Sequence, residues 1–240
     1  MSTWIGSLPY FKILPFFVYV IIYFNMTGAH MRYPDENYWT VLFKLLPVMS
    51  LVFMVLSCAS QNDEHARLKK FVAAGLLFSM LGDVCLVWRI TLFIPGLLFF
   101  AVAHGIYVCG YKMEPFGPMP AFVLCAVLGI ATCWYLQEGI RDPVMKQLVF
   151  TYASLIFLMG WRIMVRLLDN YNPGNLCGFV GAVLFICSDF MIGVDKFRYP
   201  VKDASLRIML TYYLGQLGIA LSACYNPQRV DARNLNGKVD

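Results

Sequence analysis

Two aspartates inside long apolar stretches are the residues of this sequence with the clearest capacity for chemistry: Asp83 and Asp189. A carboxyl group within a bilayer is costly unless it is paired or hydrated, so such residues typically mark functional sites. Two carboxyl groups that share a site of low dielectric constant do not easily both ionise. One moves toward its neutral acid form while the other can stay charged. The pair therefore predicts general acid catalysis.

The chemistry that such a pair suits is the cleavage of an acid-labile ether or acetal. Protonation generates an oxocarbenium ion, which a nearby carboxylate stabilises before water adds. A vinyl ether fits well, because protonation of its β-carbon produces that cation directly. Since both acids lie in apolar segments, we expect the substrate to be a lipid.

Other hydrolytic chemistries fit the sequence less well. A catalytic zinc site needs about three His or carboxylate ligands, and only His104 of the three histidines lies in an apolar segment; we therefore expect no metal. The Gly-x-Gly-Asp motif of intramembrane aspartyl proteases is interrupted, with Met80 at the first glycine position. A Gly-x-Ser-x-Gly serine motif is absent from the sequence. The two acids remain the candidates.

The composition places these residues in a membrane protein. The 240 residues are 60% hydrophobic and 14% charged, whereas soluble domains carry about 25% charged residues. This excludes a secreted disulfide scaffold, a coiled coil, a disordered protein and a cytosolic α/β enzyme. The net charge is +5, but the basic residues form no stripe with interleaved aromatic residues, so we expect no nucleic-acid partner.

The apolar stretches predict an all-α integral membrane protein, an eight-transmembrane-helix bundle. A span takes about 20 apolar residues, and backbone in lipid must satisfy its own hydrogen bonds. We expect a single domain over residues 1–225 and a short polar tail over 226–240. The predicted spans are 8–24, 39–58, 71–88, 92–112, 118–136, 144–168, 176–195 and 205–225.

The positions of polar residues along these spans predict a shared pocket. With eight spans both termini lie on one side, here side A, and the opposite side is side B. At about 1.5 Å per residue, Asp83 and Asp189 both lie roughly 8–9 Å from side B. The same measure places further polar groups within roughly 8–18 Å of side B; these are Lys44, Tyr152, Tyr212, His104 and Gln216. The pattern predicts a polar pocket that opens toward side B.

Each of these groups also has a purely structural interpretation. Lys44 could extend to the interface instead of entering the pocket, and Lys12 and Arg162 are expected to extend to water at side A. His104 could serve only as a hydrogen-bonding group between helices. The aspartates could form a structural pair bridged to Lys44 or to a tyrosine.

At these residues the sequence resembles the lysoplasmalogenase family, which includes the bacterial YhhN group, and the animal branch is the more similar. The matching stretches are Lys44-Leu45-Leu46-Pro47, Gly82-Asp83-Val84-Cys85-Leu86, Phe100-Ala101-Val102-Ala103-His104-Gly105-Ile106-Tyr107, Gly160-Trp161-Arg162, Ser188-Asp189 with Lys196-Phe197, and Thr211-Tyr212-Tyr213-Leu214-Gly215-Gln216. Many relatives carry a Lys-Pro dipeptide in the second span, whereas here Pro47 follows Lys44 by three residues.

The resemblance implies an activity. It implies hydrolysis of the vinyl ether of lysoplasmalogens, which releases a fatty aldehyde and glycerophosphoethanolamine or glycerophosphocholine. It also implies Asp83 and Asp189 as the catalytic pair, no metal or organic cofactor, and residence in the endoplasmic reticulum. A slight excess of basic residues on side A favours cytosolic termini.

The remaining candidates have supporting roles. Tyr212, Gln216, His104 and Tyr152 would orient the acids. The phosphate of a lysophospholipid substrate would be held at side B by basic residues, and the candidates are Lys44, Arg89, Lys196 and Arg198. Two alternatives remain open: a proton-coupled transporter, because paired acids also form proton relays, and a non-catalytic lipid-binding membrane protein.

Overall fold

The computed structural model describes residues 10–60 and 62–225, which form eight α-helices and no strand. The helices are α1 (Tyr10–Thr27), α2 (Tyr38–Ser57), α3 (Asp63–Cys85), α4 (Phe93–Tyr111), α5 (Met119–Gln137), α6 (Pro143–Asp169), α7 (Pro173–Phe197) and α8 (Ala204–Cys224). The all-helical prediction is confirmed for this part of the chain. The predicted tail, 226–240, lies outside the described residues.

Five of the helices are long and apolar enough to cross a membrane by length and composition: α2, α4, α5, α6 and α7. The chain is therefore an integral membrane protein. Within the described residues, every predicted segment falls on one of these helices, and most boundaries agree within three residues. Residues 8 and 9 of the first predicted span lie outside the described residues.

Short polar side chains set where four of the helices begin. Asn37, Asn62 and Asn172 each accept a hydrogen bond from the backbone N–H three residues later, and Asp142 accepts two such bonds at the start of α6. These side chains satisfy N–H groups that have no partner within the helix. The polar linkers of the sequence thus position the apolar helices.

Helix α3 is longer than its predicted segment, since it begins at Asp63 rather than at residue 71. Asn62 caps it, and the acidic side chains of Asp63 and Glu64 lie in its first turn, where negative charge is favourable to the helix dipole. Glu64 also accepts a hydrogen bond from Lys112, and this bond lowers the pKa of the Glu64 carboxyl. Capping and charge therefore extend the helix into a stretch that hydropathy alone assigns to a linker.

Helices α7 and α8 approach each other closely through glycines. A Cβ atom on Gly181 would lie 2.6 Å from the carbonyl oxygen of Gly215, and one on Gly218 would lie 2.5 Å from the carbonyl oxygen of Cys177. Small residues permit this backbone approach in membrane helices. Because Asp189 and Tyr212 lie on these two helices, the contact fixes the position of one relative to the other.

Arg162 corrects one expectation, because it does not extend to water. Its side chain is buried, its Nε donates to the carbonyl oxygen of Lys112 at 2.5 Å, and its Nη1 lies 3.4 Å from that of Phe116. Lys112 ends α4, where backbone carbonyls lack partners within the helix. The α4–α5 connection thus folds over the guanidinium and satisfies it internally.

Candidate active site

Asp83 lies in the last turn of α3 with its carboxyl group fully engaged. The residue is 2% exposed. Its Oδ1 lies 3.2 Å from Nζ of Lys44 on α2, and its Oδ2 accepts a hydrogen bond of 2.5 Å from the hydroxyl of Tyr212 on α8. Three helices therefore meet at this one carboxylate.

Lys44 belongs to the pocket and does not extend to the interface. It is 7% exposed, and besides the carboxylate its ammonium also donates to the backbone carbonyl of Asp83 at 3.3 Å. Tyr213 on α8 donates to the carbonyl oxygen of Lys44 at 3.0 Å. These contacts direct the lysine inward despite its long, flexible side chain.

A chain of hydrogen bonds orients Tyr212 toward Asp83. Tyr107 donates to Oε1 of Gln216 at 2.9 Å, and Nε2 of Gln216 donates to the hydroxyl oxygen of Tyr212 at 3.4 Å. A tyrosine hydroxyl has one proton to donate, so Tyr212 gives its proton to Asp83 and accepts one from Gln216. Each member of the chain thereby has a defined direction.

Asp189 on α7 is held by a second, separate chain. The hydroxyl of Tyr152 on α6 donates to its Oδ2, and Nε2 of His104 on α4 lies 3.0 Å from the same hydroxyl oxygen and 3.7 Å from Oδ2. Because Tyr152 gives its only proton to Asp189, it must accept one from His104, which therefore carries hydrogen on Nε2. His104 is fully buried, whereas Tyr152 and Asp189 are partly exposed.

The two carboxyl groups have different electrostatic surroundings. Asp83 pairs with the ammonium of Lys44, whereas the basic group that faces Asp189 is the imidazole of His104. The side chain of Asp189 is also more accessible, at 12% exposed against 2% for Asp83. Each carboxyl group therefore accepts a hydrogen bond from a tyrosine, but the two differ in their basic neighbour and in their exposed fraction.

Both aspartates line one cavity of about 90 Å³, here called the polar cavity. Lys44 and Tyr212 line it as well, whereas His104, Tyr152 and Gln216 are not among its lining residues. The other residues around the polar cavity are Tyr23, Tyr33, Pro34, Thr40, Leu86, Val87, Arg89, Phe93, Phe100, Ser188, Ile192, Asp195, Lys196, Ser205, Ile208 and Met209. The sequence-predicted residues that face the cavity come from α2, α3, α7 and α8 and from the segment after α3.

A group of polar residues lies where α7 ends. Asp195 accepts a hydrogen bond of 2.6 Å from Tyr33, and Nη2 of Arg89 lies 3.2 Å from the same carboxylate oxygen. The guanidinium of Arg89 stacks 3.2 Å from the centroid of the Tyr33 ring. Burial, followed by the bond to Asp195, raises the pKa of the Tyr33 hydroxyl, so that it stays protonated and donates. This group ties the α1–α2 connection to the polar cavity.

Sequence reasoning missed Tyr33 and Asp195. Asp195 carried a usable signal, because a carboxylate in the last turn of a helix opposes the helix dipole and needs a compensating cation. Arg89 supplies that cation here. Tyr33 lies in a connecting segment and carried no such signal.

Besides Lys44, three basic residues are phosphate candidates near side B, and they have different positions. Arg89 and Lys196 line the polar cavity, and Nζ of Lys196 lies 4.1 Å from the ring centroid of Phe93. Arg198 is not among the lining residues of that cavity. It pairs instead with Glu138 at 2.6 Å and stacks on Tyr135, so its charge is directed toward the end of α5.

Aromatic side chains pack between the two acids. Phe185 contacts His104 and Tyr212 edge-on, with centroid distances of 5.0 and 5.4 Å, and Phe100 lies 5.9 Å from the Tyr212 ring. Phe100 in turn packs on the bare backbone of Gly82, where a Cβ atom would lie 2.5 Å from the ring. Edge-on packing fixes ring orientation and so fixes the hydroxyl and imidazole that serve the acids.

Comparison with known proteins gives a consistent result. The model of the YhhN family matches residues 39–223, which include both aspartates. The chain is 32% identical to "Lysoplasmalogenase TMEM86A" of Homo sapiens, over 93% of each protein. It is 31% identical to "Lysoplasmalogenase TMEM86B" of Sus scrofa, over 89% of this chain and 87% of that one. No solved structure matches this chain.

Proposed function

This chain belongs to the YhhN family, and on that premise we propose that it is a lysoplasmalogenase. It hydrolyses the vinyl ether of a lysoplasmalogen to a fatty aldehyde and glycerophosphoethanolamine or glycerophosphocholine. The observation that carries the proposal is that Asp83 and Asp189, from two different helices, line one cavity inside an apolar bundle. The names of the relatives support the reaction class, and the cavity supplies a place for it.

Asp189 is the proton donor in this proposal. Its Oδ2 accepts the hydroxyl proton of Tyr152, so the transferable proton resides on Oδ1. Asp189 faces the imidazole of His104, whereas Asp83 is paired with the ammonium of Lys44, and an ammonium neighbour favours the carboxylate role over the acid role. Transfer of this proton to the β-carbon of the vinyl ether converts the double bond into an oxocarbenium ion and leaves Asp189 as a carboxylate.

Asp83 is the carboxylate that stabilises the cation and activates water. Its ion pair with Lys44 and its bond from Tyr212 both favour the charged form. A water molecule adds to the cationic carbon and gives one proton to Asp83, which produces a hemiacetal. Fixed charges of this kind cost no reorganisation during the reaction.

Collapse of the hemiacetal returns both acids to their starting states. The protonated Asp83 gives its proton to the ether oxygen, the bond from that oxygen to the former vinyl carbon breaks, and Asp189 accepts the hydroxyl proton. The products are the aldehyde and the free glycerol hydroxyl. One water molecule is consumed, and the cycle balances with no other reactant.

The phosphate of the substrate binds beside Lys196 and Arg89 in this proposal. Both line the polar cavity, and charge-assisted hydrogen bonds to phosphate are strong. Arg89 is partly neutralised by Asp195, so we assign the larger share of the attraction to Lys196. Lys44 forms an ion pair with Asp83, so we do not assign it to phosphate binding.

We further propose that all eight helices described here span the bilayer of the endoplasmic reticulum, with both termini in the cytosol. The similarity of the sequence to animal lysoplasmalogenases and the distribution of basic residues support this placement. A C-terminal epitope tag should be stained after selective permeabilisation of the plasma membrane. Staining only after full permeabilisation would show that the C-terminus lies in the lumen, the opposite of the proposed orientation.

The test of the reaction is a comparison of two lipids with purified protein in detergent. A 1-alkenyl lysophospholipid should release aldehyde, and its 1-acyl counterpart should remain intact. Asp83→Asn and Asp189→Asn should each lower aldehyde release by at least about a hundredfold, the lower range for loss of general acid–base catalysis. Asp169→Asn, at an exposed position at the end of α6, is the matched control and should keep full activity.

The alternatives give distinct outcomes in the same samples. Near-normal turnover by either cavity variant, when it inserts and folds, would overturn the two-acid mechanism. Flux of an uncleaved lipid into proteoliposomes without any product would instead identify a transporter. Loss of stability in both variants, with no product from the unmodified protein, would identify a structural role for the acids.

A further inference from the structure

A second cavity, of about 70 Å³, adjoins the polar cavity and is here called the apolar cavity. Five residues belong to the walls of both cavities: Leu86, Phe93, Phe100, Asp189 and Ile192. Asp189 is the one ionisable acid or base among the described residues that line the apolar cavity, apart from the Tyr152 hydroxyl, which is bonded to it. The acid assigned as proton donor thus lies where a polar compartment meets an apolar one.

The remaining wall of the apolar cavity suits a hydrocarbon chain. Apart from Thr132, its other lining residues are apolar, and they come from α4, α5, α6 and α7. On α7 they extend from Ile186 to Phe197, which is about 16 Å along the helix axis. Asp189 lies about one turn from the Ile186 end of this range, and on α6 the lining continues from Tyr152 to Phe157, about 8 Å along that helix.

Phe157 separates the apolar cavity from a larger space. It also lines a crevice of about 480 Å³ between α5 and α6, and it is the lining residue that the two spaces share in the described part of the chain. Its ring packs against Gly129 of α5, where a Cβ atom would lie 3.3 Å from it. Helix α5 is peripheral, with Ala121 and Leu136 as its buried residues.

We propose that the hydrocarbon chain of the substrate lies in the apolar cavity and that Phe157 sets the chain length this cavity accepts. The inference rests on the proposed lysoplasmalogenase function, because it places the vinyl ether at Asp189 between a polar headgroup and an apolar chain. The phosphate then lies in the polar cavity and the chain in its neighbour. Phe157 is a specificity residue and takes no part in the chemistry.

The test is the dependence of kcat/KM on chain length in a series of 1-alkenyl lysophospholipids. Each buried methylene should raise kcat/KM by up to about fourfold until the chain reaches Phe157, where the curve should level off. In Phe157→Ala the passage to the α5–α6 crevice opens, so the curve should keep rising for longer chains. Ala153→Leu, which narrows the apolar cavity, should make the curve level off at a shorter chain.

Phe150→Ala is the matched control. Phe150 lines the α5–α6 crevice but does not line the apolar cavity, so its removal should leave the length profile unchanged. A length profile that is identical in all variants, or a fall in activity that is uniform over chain length in Phe157→Ala, would overturn the inference. If Phe157→Ala does not fold, the opposite shift expected of Ala153→Leu decides the matter.

Non-hydrolysable 1-alkyl analogues separate this inference from the proposed function. They should bind as competitive ligands whose affinity follows the same length dependence and shifts in the same directions in the variants. If affinity depends on chain length but alkenyl lipid releases no aldehyde, the proposed chain site is supported and the proposed hydrolase activity is contradicted. If aldehyde is released but neither substitution changes the length profile, the hydrolase activity is supported and the proposed chain site is contradicted.

Discussion

Nζ of Lys44 lies 3.2 Å from Oδ1 of Asp83, and the side chains of both residues are at most 8% exposed. Removing two charges from water is expensive, and their attraction repays this cost only when further hydrogen bonds complete the site. Tyr212 supplies such a bond. The pair is therefore better explained by a role in the proposed chemistry than as a source of stability.

Lys44→Met should separate these two roles. Removal of one partner from a buried ion pair costs about 3–5 kcal/mol, because Asp83 is left charged and unpaired or must take up a proton. We expect a lower thermal midpoint in detergent and a loss of aldehyde release of at least about a hundredfold. Unchanged activity in a folded variant would exclude Lys44 from the active site.

The double variant Lys44→Met/Asp83→Asn is the control for stability. Replacing both charges by neutral groups removes the unpaired carboxylate, so most of the lost stability should return. Activity should not return, because the carboxylate proposed to stabilise the cation is absent. Recovery of both quantities together would contradict the role proposed for Asp83.

Tyr152→Phe and Tyr212→Phe should show that the two tyrosines serve different acids. Each substitution removes a single hydrogen bond to a carboxyl group, a change of roughly tenfold to a hundredfold in rate if the bond is kept in the transition state. Tyr152→Phe also removes the hydroxyl that bridges His104 and Asp189, so kcat should fall further in this variant than in Tyr212→Phe. Equal losses of kcat would show that this bridge does not contribute to the reaction.

Gly82→Ala should impair the site although it adds one methyl group. The new Cβ atom would lie 2.5 Å from the ring of Phe100, and overpacking of this kind costs about 1–3 kcal/mol. Displacement of Phe100 would disturb Tyr212, whose ring it contacts. Gly105→Ala is the comparison, because no atom outside its own helix lies within 4 Å of that Cβ. Equal thermal midpoints and activities for the two variants would contradict this packing argument.

Lys196→Ala and Arg198→Ala should differ in their effect on substrate binding. Lys196 lines the polar cavity, whereas Arg198 pairs with Glu138. We expect KM to rise roughly tenfold in the first variant, equivalent to about 1.4 kcal/mol of binding, and to stay unchanged in the second. Steady-state kinetics at constant ionic strength measures both, and a larger effect at Arg198 would move the phosphate site toward α5.

The sequence by itself was sufficient to predict the helices, and residue spacing alone predicted that the polar groups share one layer. Each apolar segment must satisfy its own backbone hydrogen bonds in lipid, so its structure is a local property. The position of a residue along a helix follows from its number at about 1.5 Å per residue. That is why Lys44, Tyr152 and Tyr212 could be assigned to the layer of the aspartates before any contact between them was known.

Only the tertiary structure decided which of these groups meet. Depth along a helix leaves its rotation and its neighbours open, and these depend on packing such as the glycine contact between α7 and α8. Packing places Lys44 beside Asp83 and His104 beside Asp189. It also places Arg198 outside the wall of the polar cavity. The difference between the surroundings of the two aspartates therefore arises from the arrangement of helices, because the interaction between two charges weakens with the distance that packing sets.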